Sequence, residues 1–385
     1  MLEHWLLDPD VSYLNHGTVG AIPKRVLARQ QALRDHIERA PAQVLVREVA
    51  PLFGLAAREG PSLRGAAGEV AAFLGVEGND LVFVDNATAG IVSVLGSLAF
   101  EPGDEIAITD HTYGAVANVA AFIARRFGAV VRAAELPFPC PGPDALAAAV
   151  ETILSERTRV IVADHVTSDS ALVMPVAEIA RLARARGIPV LVDGAHAPGA
   201  IPVDIAALGV DWYTANMHKW AMAPRSCGVL WAKPSRQEGL HPPVVSWGLD
   251  QGMIAEFDWV GTRDLTPYLA APEGIAFMRD LGLQAMQDHN HALVLEAAEL
   301  LSRHWRSERA AVPALTGTMA TVALPEGLGG TPEEGARLRD ALLSEDAIEA
   351  HIASRDDRLW VRISAQIYNE LGEYERLAAV VAARS

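Results

Sequence analysis

Lys219 sits in the segment Asn216-Met217-His218-Lys219-Trp220, followed by Ala223-Pro224-Arg225 and Gly228. Lysine is the side chain that condenses with an aldehyde to an imine, and one framed by histidine and tryptophan is not set like a solvated surface lysine. Lysine is also scarce: Lys24, Lys219 and Lys233 are the only three, so surface duty falls to arginine. Upstream, Asp193-Gly194-Ala195-His196 follows the run Pro189 to Val192. A carboxylate at the end of a buried strand is costly unless a cation faces it. A protonated pyridine nitrogen is such a cation, and the pairing would keep the ring electron-poor, as a carbanion sink requires. Asn86-Ala87-Thr88-Ala89-Gly90, directly after Leu81 to Asp85, offers small residues and a hydroxyl where backbone N–H groups at a helix start can approach a phosphate. Singly, each segment has an ordinary reading: a snorkelling lysine, an N-cap aspartate, a turn that opens a helix. Jointly they describe a site for a phosphorylated pyridine aldehyde.

Such segments need strands to deliver them. Apolar, β-branched runs occur at Leu81 to Val84, Ile106 to Ile108, Val160 to Ala163, Val190 to Val192 and Val229 to Trp231. Stretches of helical period lie between them, as at Val176 to Arg186, where apolar residues recur at i, i+3, i+4 and i+7. This alternation predicts an α/β domain with a mostly parallel sheet, whose chemistry falls at the carboxyl ends of the strands. After about residue 260 the pattern changes. A helical region over 267–308 is followed by strands at Thr318 to Leu324 and Trp360 to Ile363, with a Gly/Pro loop at Pro325 to Thr331 between them. These read as a separate α+β unit.

The 385 residues suffice for one large and one smaller domain. A net charge of −16 is unsuited to a nucleic-acid partner. Two cysteines, Cys140 and Cys227, imply no disulfide framework and a reducing compartment. The N-terminal segment carries acids and no apolar run of signal-peptide length, and no stretch approaches a membrane span, so a cytoplasmic protein is expected. No P-loop and no Gly-x-Gly-x-x-Gly follows a strand. His289 and His291, two apart on a helical stretch, point away from each other, so no metal site is expected.

Further segments align with the three above: Tyr13-Leu14-Asn15-His16-Gly17 with Gly20 and Pro23, Asp110 to Ala115, His165-Val166-Thr167-Ser168, Gly261-Thr262-Arg263-Asp264 and Arg362-Ile363-Ser364. With these the chain resembles the fold-type I pyridoxal-phosphate enzymes of the class V aminotransferase group, and within it the isopenicillin N epimerase-like proteins, over nearly its whole length. The resemblance implies a large cofactor-binding domain over 16–260 with a mostly parallel central sheet. A smaller α+β domain would comprise 261–385 together with the N-terminal segment 1–15. It implies pyridoxal 5'-phosphate joined to Lys219, which would also shuttle the proton at the substrate's α-carbon, and Asp193 paired with the ring nitrogen. Tyr113 would stack on the ring, with Ser168 and His196 near the ring hydroxyl. Thr88, Ala89 and His218 would bind the phosphate, with Asn216 nearby. Thr262 resembles the residue that reaches the phosphate from a neighbouring subunit, which implies a homodimer with shared sites. Arg362 matches the arginine that grips the substrate carboxylate, and Asn15 and His16 would line the substrate entrance. One departure stands out. Relatives often show Pro-Arg-Gly-x-Gly where this chain reads Pro224-Arg225-Ser226-Cys227-Gly228.

The resemblance fixes chemistry at Cα or Cβ of an amino acid and leaves the reaction open. Cysteine desulfurases of the group carry a nucleophilic cysteine in the C-terminal domain, and no cysteine occurs after Gly228. Epimerisation needs proton delivery on both faces, with Tyr113, His16 or a water as the second acid. β-Elimination, notably C–S cleavage of a cysteine conjugate, needs one base and a leaving group. Transamination and a catalytically inactive binding relative complete the alternatives.

Overall fold

The structure is a computed structural model and describes residues 1–50 and 55–385. A short strand, β1 (Ser12–Tyr13), precedes the seven strands of the main sheet. These are β2 (Leu81–Val84), β3 (Glu105–Thr109), β4 (Val130–Ala134), β5 (Thr158–Asp164), β6 (Val190–Asp193), β7 (Trp212–Asn216) and β8 (Gly228–Ala232). Their order across the sheet is β2-β8-β7-β6-β5-β3-β4. Neighbours from β7 to β4 pair in parallel, whereas β8 runs antiparallel to both β7 and β2. The sheet is thus parallel apart from β8.

Both faces are covered, and the alternation of side chains along each strand divides them between two cores. Phe83, Ala107, Ile161, Ala163, Val190, Val192 and Tyr213 face one core. Val82, Ile106, Val160, Val162, Leu191 and Trp212 face the other. This double burial is why the central strands read as continuous apolar runs. Strand β4 escaped that reading because it lies at the sheet edge with much of its length exposed, Arg132 included.

Beyond the sheet, the helical region expected over 267–308 is three helices, Thr266–Leu269, Ala271–Leu281 and Leu283–Trp305. Gly282, with a φ of +84°, makes the break before the third, a backbone conformation in which a Cβ is disfavoured. The second unit holds β9 (Met319–Ala323), β10 (Ile348–Glu349), β11 (His351–Arg355) and β12 (Arg358–Ser364). Strands β11, β12 and β9 form an antiparallel sheet in that order. The loop from Pro325 ends at Thr331, which opens the helix Pro332–Asp346 through a capping box with Glu334. The N-terminal segment joins this unit: β1 pairs with β10, and Leu14 lies in the core shared by Val361, Ile363 and Tyr374.

The first helices after residue 261 pack on the core of the large unit. Leu265, Tyr268, Ile275 and Met278 belong to the core of the large unit, with Phe83 stacked on Tyr268 at 4.9 Å. The second core begins within the long helix, from Leu293 onward. Among the described residues no helix is long and apolar enough to cross a membrane.

Candidate active site

A cleft of about 410 Å³ opens at the carboxyl ends of the parallel strands. Its walls come from the turn after β2 (Asn86, Ala87, Thr88), the ends of β5 and β6 (Asp164, Asp193), Ser168, His196, Asn216, His218 and Lys219, with Tyr113 and Thr18 completing it. Apart from Thr18, residues far apart in sequence meet here because they end or follow strands of one sheet.

The turn after β2 is built from its own polar side chains. Asn86 caps the helix Ala87–Ser97, its Oδ1 accepting from Ala89 N at 2.9 Å. Asn216 Oδ1 accepts from Ala87 N at 2.8 Å. The first-turn N–H left over is that of Thr88, which therefore faces the cleft together with its hydroxyl. Ala89 does not line the cleft, because its amide is spent on the cap. Gly90 and Gly228 let the strands close up behind this turn: a Cβ would lie 2.1 Å from Thr214 Oγ1 at the first and 2.7 Å from Asn86 Cα at the second.

Lys219 Nζ lies 3.0 Å from His196 Nε2. Burial, reinforced by the charge of Arg362 and opposed by that of Asp193, pulls the Lys219 ammonium down to about 8. Burial also drives His196 well below the usual imidazole range, so its ring is neutral and Nε2 accepts from the ammonium. Nδ1 then carries the ring hydrogen, and it is buried without a partner among the described residues. Asp193 is buried, and its Oδ1 accepts from Ala195 N at 2.9 Å. Gly194 makes the bend possible, because a Cβ there would lie 2.3 Å from the Tyr213 ring.

Arg362, on β12, is 1% exposed and has no carboxylate within ion-pair distance among the described residues. Its Nη1 donates to Ser168 O at 2.7 Å, and its Nη2 donates to Asn15 Oδ1 at 2.9 Å and Thr18 Oγ1 at 2.7 Å. Nε is left without a partner. Burial lowers this guanidinium to about 10. A buried guanidinium held by neutral acceptors alone is suited to receive an anion.

Asn15 and His16 are not at an entrance. Both are buried, Asn15 behind Arg362 and His16 beneath Trp220, ring centroids 4.7 Å apart. His16 Nδ1 shares a 2.7 Å hydrogen bond with Tyr368 Oη, and Nε2 lies 3.3 Å from Lys219 O. Burial lowers His16 to about 4. These residues brace the lysine loop, and Gly20 (φ +81°) packs so close that a Cβ would meet His218 O at 2.7 Å. Thr262 is away from its own chain's cleft, in a surface groove with Pro41, Ala42, Trp247 and Trp259. Tyr113 stands over the cleft with 47% exposure. Ser226, at the departure from the common glycine, keeps a φ of +65°, so the backbone glycine would supply is retained at some strain.

Two cleft residues, Thr18 and Asp164, fall outside every motif quoted from the sequence. Thr18 stands one turn beyond the expected Asn15-His16 pair and had no separate signal. Asp164 did carry one, an acid closing a buried strand, the same signal that singled out Asp193.

The cleft fits a phosphorylated pyridine aldehyde: a helix N-terminus with a free amide, a depressed lysine and a buried aspartate at the opposite end. A fold-type I pyridoxal-phosphate enzyme has this sheet with this site. Residues 28–323 match the aminotransferase class-V family. The isopenicillin N epimerase of Streptomyces clavuligerus is 34% identical, over 97% of this chain and 94% of that protein. A probable chloroplastic L-cysteine desulfhydrase of Arabidopsis thaliana is 31% identical, over 96% of this chain and 82% of that protein. The solved structure of a cystine C–S lyase with its product cysteine persulfide superposes with a TM-score of 0.78 at 23% identity, covering 97% of this chain and 98% of that one. The chain belongs to the class-V aminotransferase family, and its cofactor is pyridoxal 5'-phosphate.

Proposed function

We propose that this enzyme is a C–S lyase that splits an S-substituted cysteine by β-elimination, giving a thiol, pyruvate and ammonia. The observation that carries the reading is the proton inventory of the cleft. Lys219 is its one amine, poised near neutrality, while the second-face acid that epimerisation requires has a poor candidate in His16, whose ring nitrogens are both engaged and whose burial keeps it neutral. β-Elimination uses what is present. Likeness to the desulfhydrases supports it.

The residues divide the work as follows. Asp193 would hold the ring nitrogen, Thr88, Asn216 and His218 the phosphate end, Ser168 and His196 the ring hydroxyl, and Tyr113 the ring face. When bound, pyridoxal 5'-phosphate supplies the electron sink that makes bonds at the substrate's α-carbon labile. Lys219 takes the α-proton, and the thiolate departs from Cβ with the bonding pair. Arg362 holds the carboxylate, a bidentate task that its free Nε and braced fork suit. Cys227 offers no nucleophile for persulfide formation: it is fully buried in the large core and burial pushes its thiol up.

A second reading, Cα epimerisation, is favoured by Tyr113, whose hydroxyl has no partner among the described residues and stands over the cleft, and by likeness to the epimerase. Proton NMR in deuterated water with a panel of amino acids and S-substituted cysteines separates the two. Pyruvate with a released thiol establishes the lyase, and α-deuterated substrate of inverted configuration refutes it.

The active unit proposed is a cytoplasmic homodimer. Val244, Val245, Trp247 and Leu249 expose apolar surface beside the groove that holds Thr262, as a chain would that lends Thr262 to its partner's phosphate site.

A further inference from the structure

Asp164 ends β5 as Asp193 ends β6, and the two are partners in the parallel register. Both are buried, and both line the cleft. Asp164 accepts hydrogen bonds from the Tyr113 backbone and the Thr112 side chain, so it anchors the loop that carries Tyr113 over the cleft. Its Oδ2 is buried and has no partner among the described residues.

The surroundings leave one cation for two carboxyls. Among the described residues Lys219 is the only charged base on the cleft wall, and Arg362 lies behind Ser168. The other titratable neighbours are neutral: His196 across the cleft, His165 next along the chain and Tyr213 on β7, which bonds His165 Nδ1 through its hydroxyl at 2.8 Å. Tyr113 also faces the cleft. Two buried carboxyls side by side with a single amine between them are costly to keep both ionised.

We propose that Asp164 is a positioning residue that keeps its proton beside Asp193, so that the pair offers the cofactor's ring nitrogen a single negative charge while Asp164 fixes the Tyr113 loop. A proton on Oδ2 spares this buried, unpartnered oxygen from carrying charge. Burial and the charge of Asp193 both push Asp164 well above the ordinary carboxylate range, in the same direction as the geometry. The inference rests on the assignment of this cleft to pyridoxal 5'-phosphate.

Infrared difference spectroscopy of the holoenzyme, wild type minus Asp164→Asn at neutral pH, tests it. The carbonyl stretch of a protonated carboxyl is expected in wild type and absent from the variant, and its absence from wild type overturns the proposal. As a second readout, the pH titration of the cofactor's visible band and its dissociation constant are compared for Asp164→Asn and Asp164→Ala. Asparagine keeps the neutral shape, so its constant is expected within about threefold of wild type, whereas alanine weakens binding about tenfold or more through the orphaned loop amide. Equal damage in both variants, or none in either, overturns the proposal. Failure of the cofactor assignment reads differently: the purified protein would show no visible band fixed by borohydride.

Discussion

Replacing Arg362 by methionine removes a buried guanidinium that has no carboxylate within ion-pair distance among the described residues. In the wild type the fork is held by Ser168 O, Asn15 Oδ1 and Thr18 Oγ1, so little reorganisation is needed when a carboxylate arrives. A charge-assisted hydrogen bond contributes roughly 1.5–3 kcal/mol, and a bidentate pair about twice that. Water entering the truncated site recovers part of it, which leaves a loss of about 3 kcal/mol, or roughly 10²-fold in kcat/KM. Most of that loss should appear in KM, because the carboxylate is gripped before and during the chemistry. The assay compares an S-substituted cysteine with its carboxamide, in wild type and in Arg362→Met. Wild type should prefer the acid by roughly 10²-fold, and the variant should lose that preference. Thermal stability should hold, because methionine also removes the desolvation cost that lowers this guanidinium to about 10. A variant that still discriminates acid from amide would refute the reasoning and place the carboxylate elsewhere.

Lys219→Ala should abolish turnover, and borohydride should fix the cofactor covalently to wild type but not to the variant; residual activity within tenfold would reassign the base. In the folded protein, burial holds His16, His165 and His218 at about 4, below the usual 6.5. Their stabilising contribution is therefore complete above about pH 6.5 and is lost as pH falls toward 4, by up to about 1.4 kcal/mol per histidine per pH unit. Melting temperatures flat from pH 6.5 to 4 would contradict this. Val244→Glu with Val245→Glu should shift the sedimenting species from dimer to monomer and loosen the cofactor, while an unchanged dimer that binds cofactor as tightly would remove this face from the interface.

The sequence alone disclosed the fold class, because burial on both faces makes strands β2, β3, β5, β6 and β8 continuous apolar runs that composition cannot hide. It also pointed to Asp193 and Thr88, which follow such runs at the edge where parallel sheets place their chemistry, and to Lys219, framed by His218 and Trp220. Strand β4 and the break at Gly282 were not legible, one half-exposed at an edge and the other set by a single left-handed residue. Tertiary structure decided which backbone amides stay free. Ala89 looks as available as Thr88 in the sequence, yet Asn86 takes its N–H and Asn216, 129 residues from Ala87, takes that of Ala87. It turned Asn15 and His16 from an expected entrance into buried braces, because Trp220 and Arg362 pack over them. It also set Asp164 beside Asp193: two acids 29 residues apart become neighbours only when β5 and β6 pair in register, and only there must one of them hold a proton.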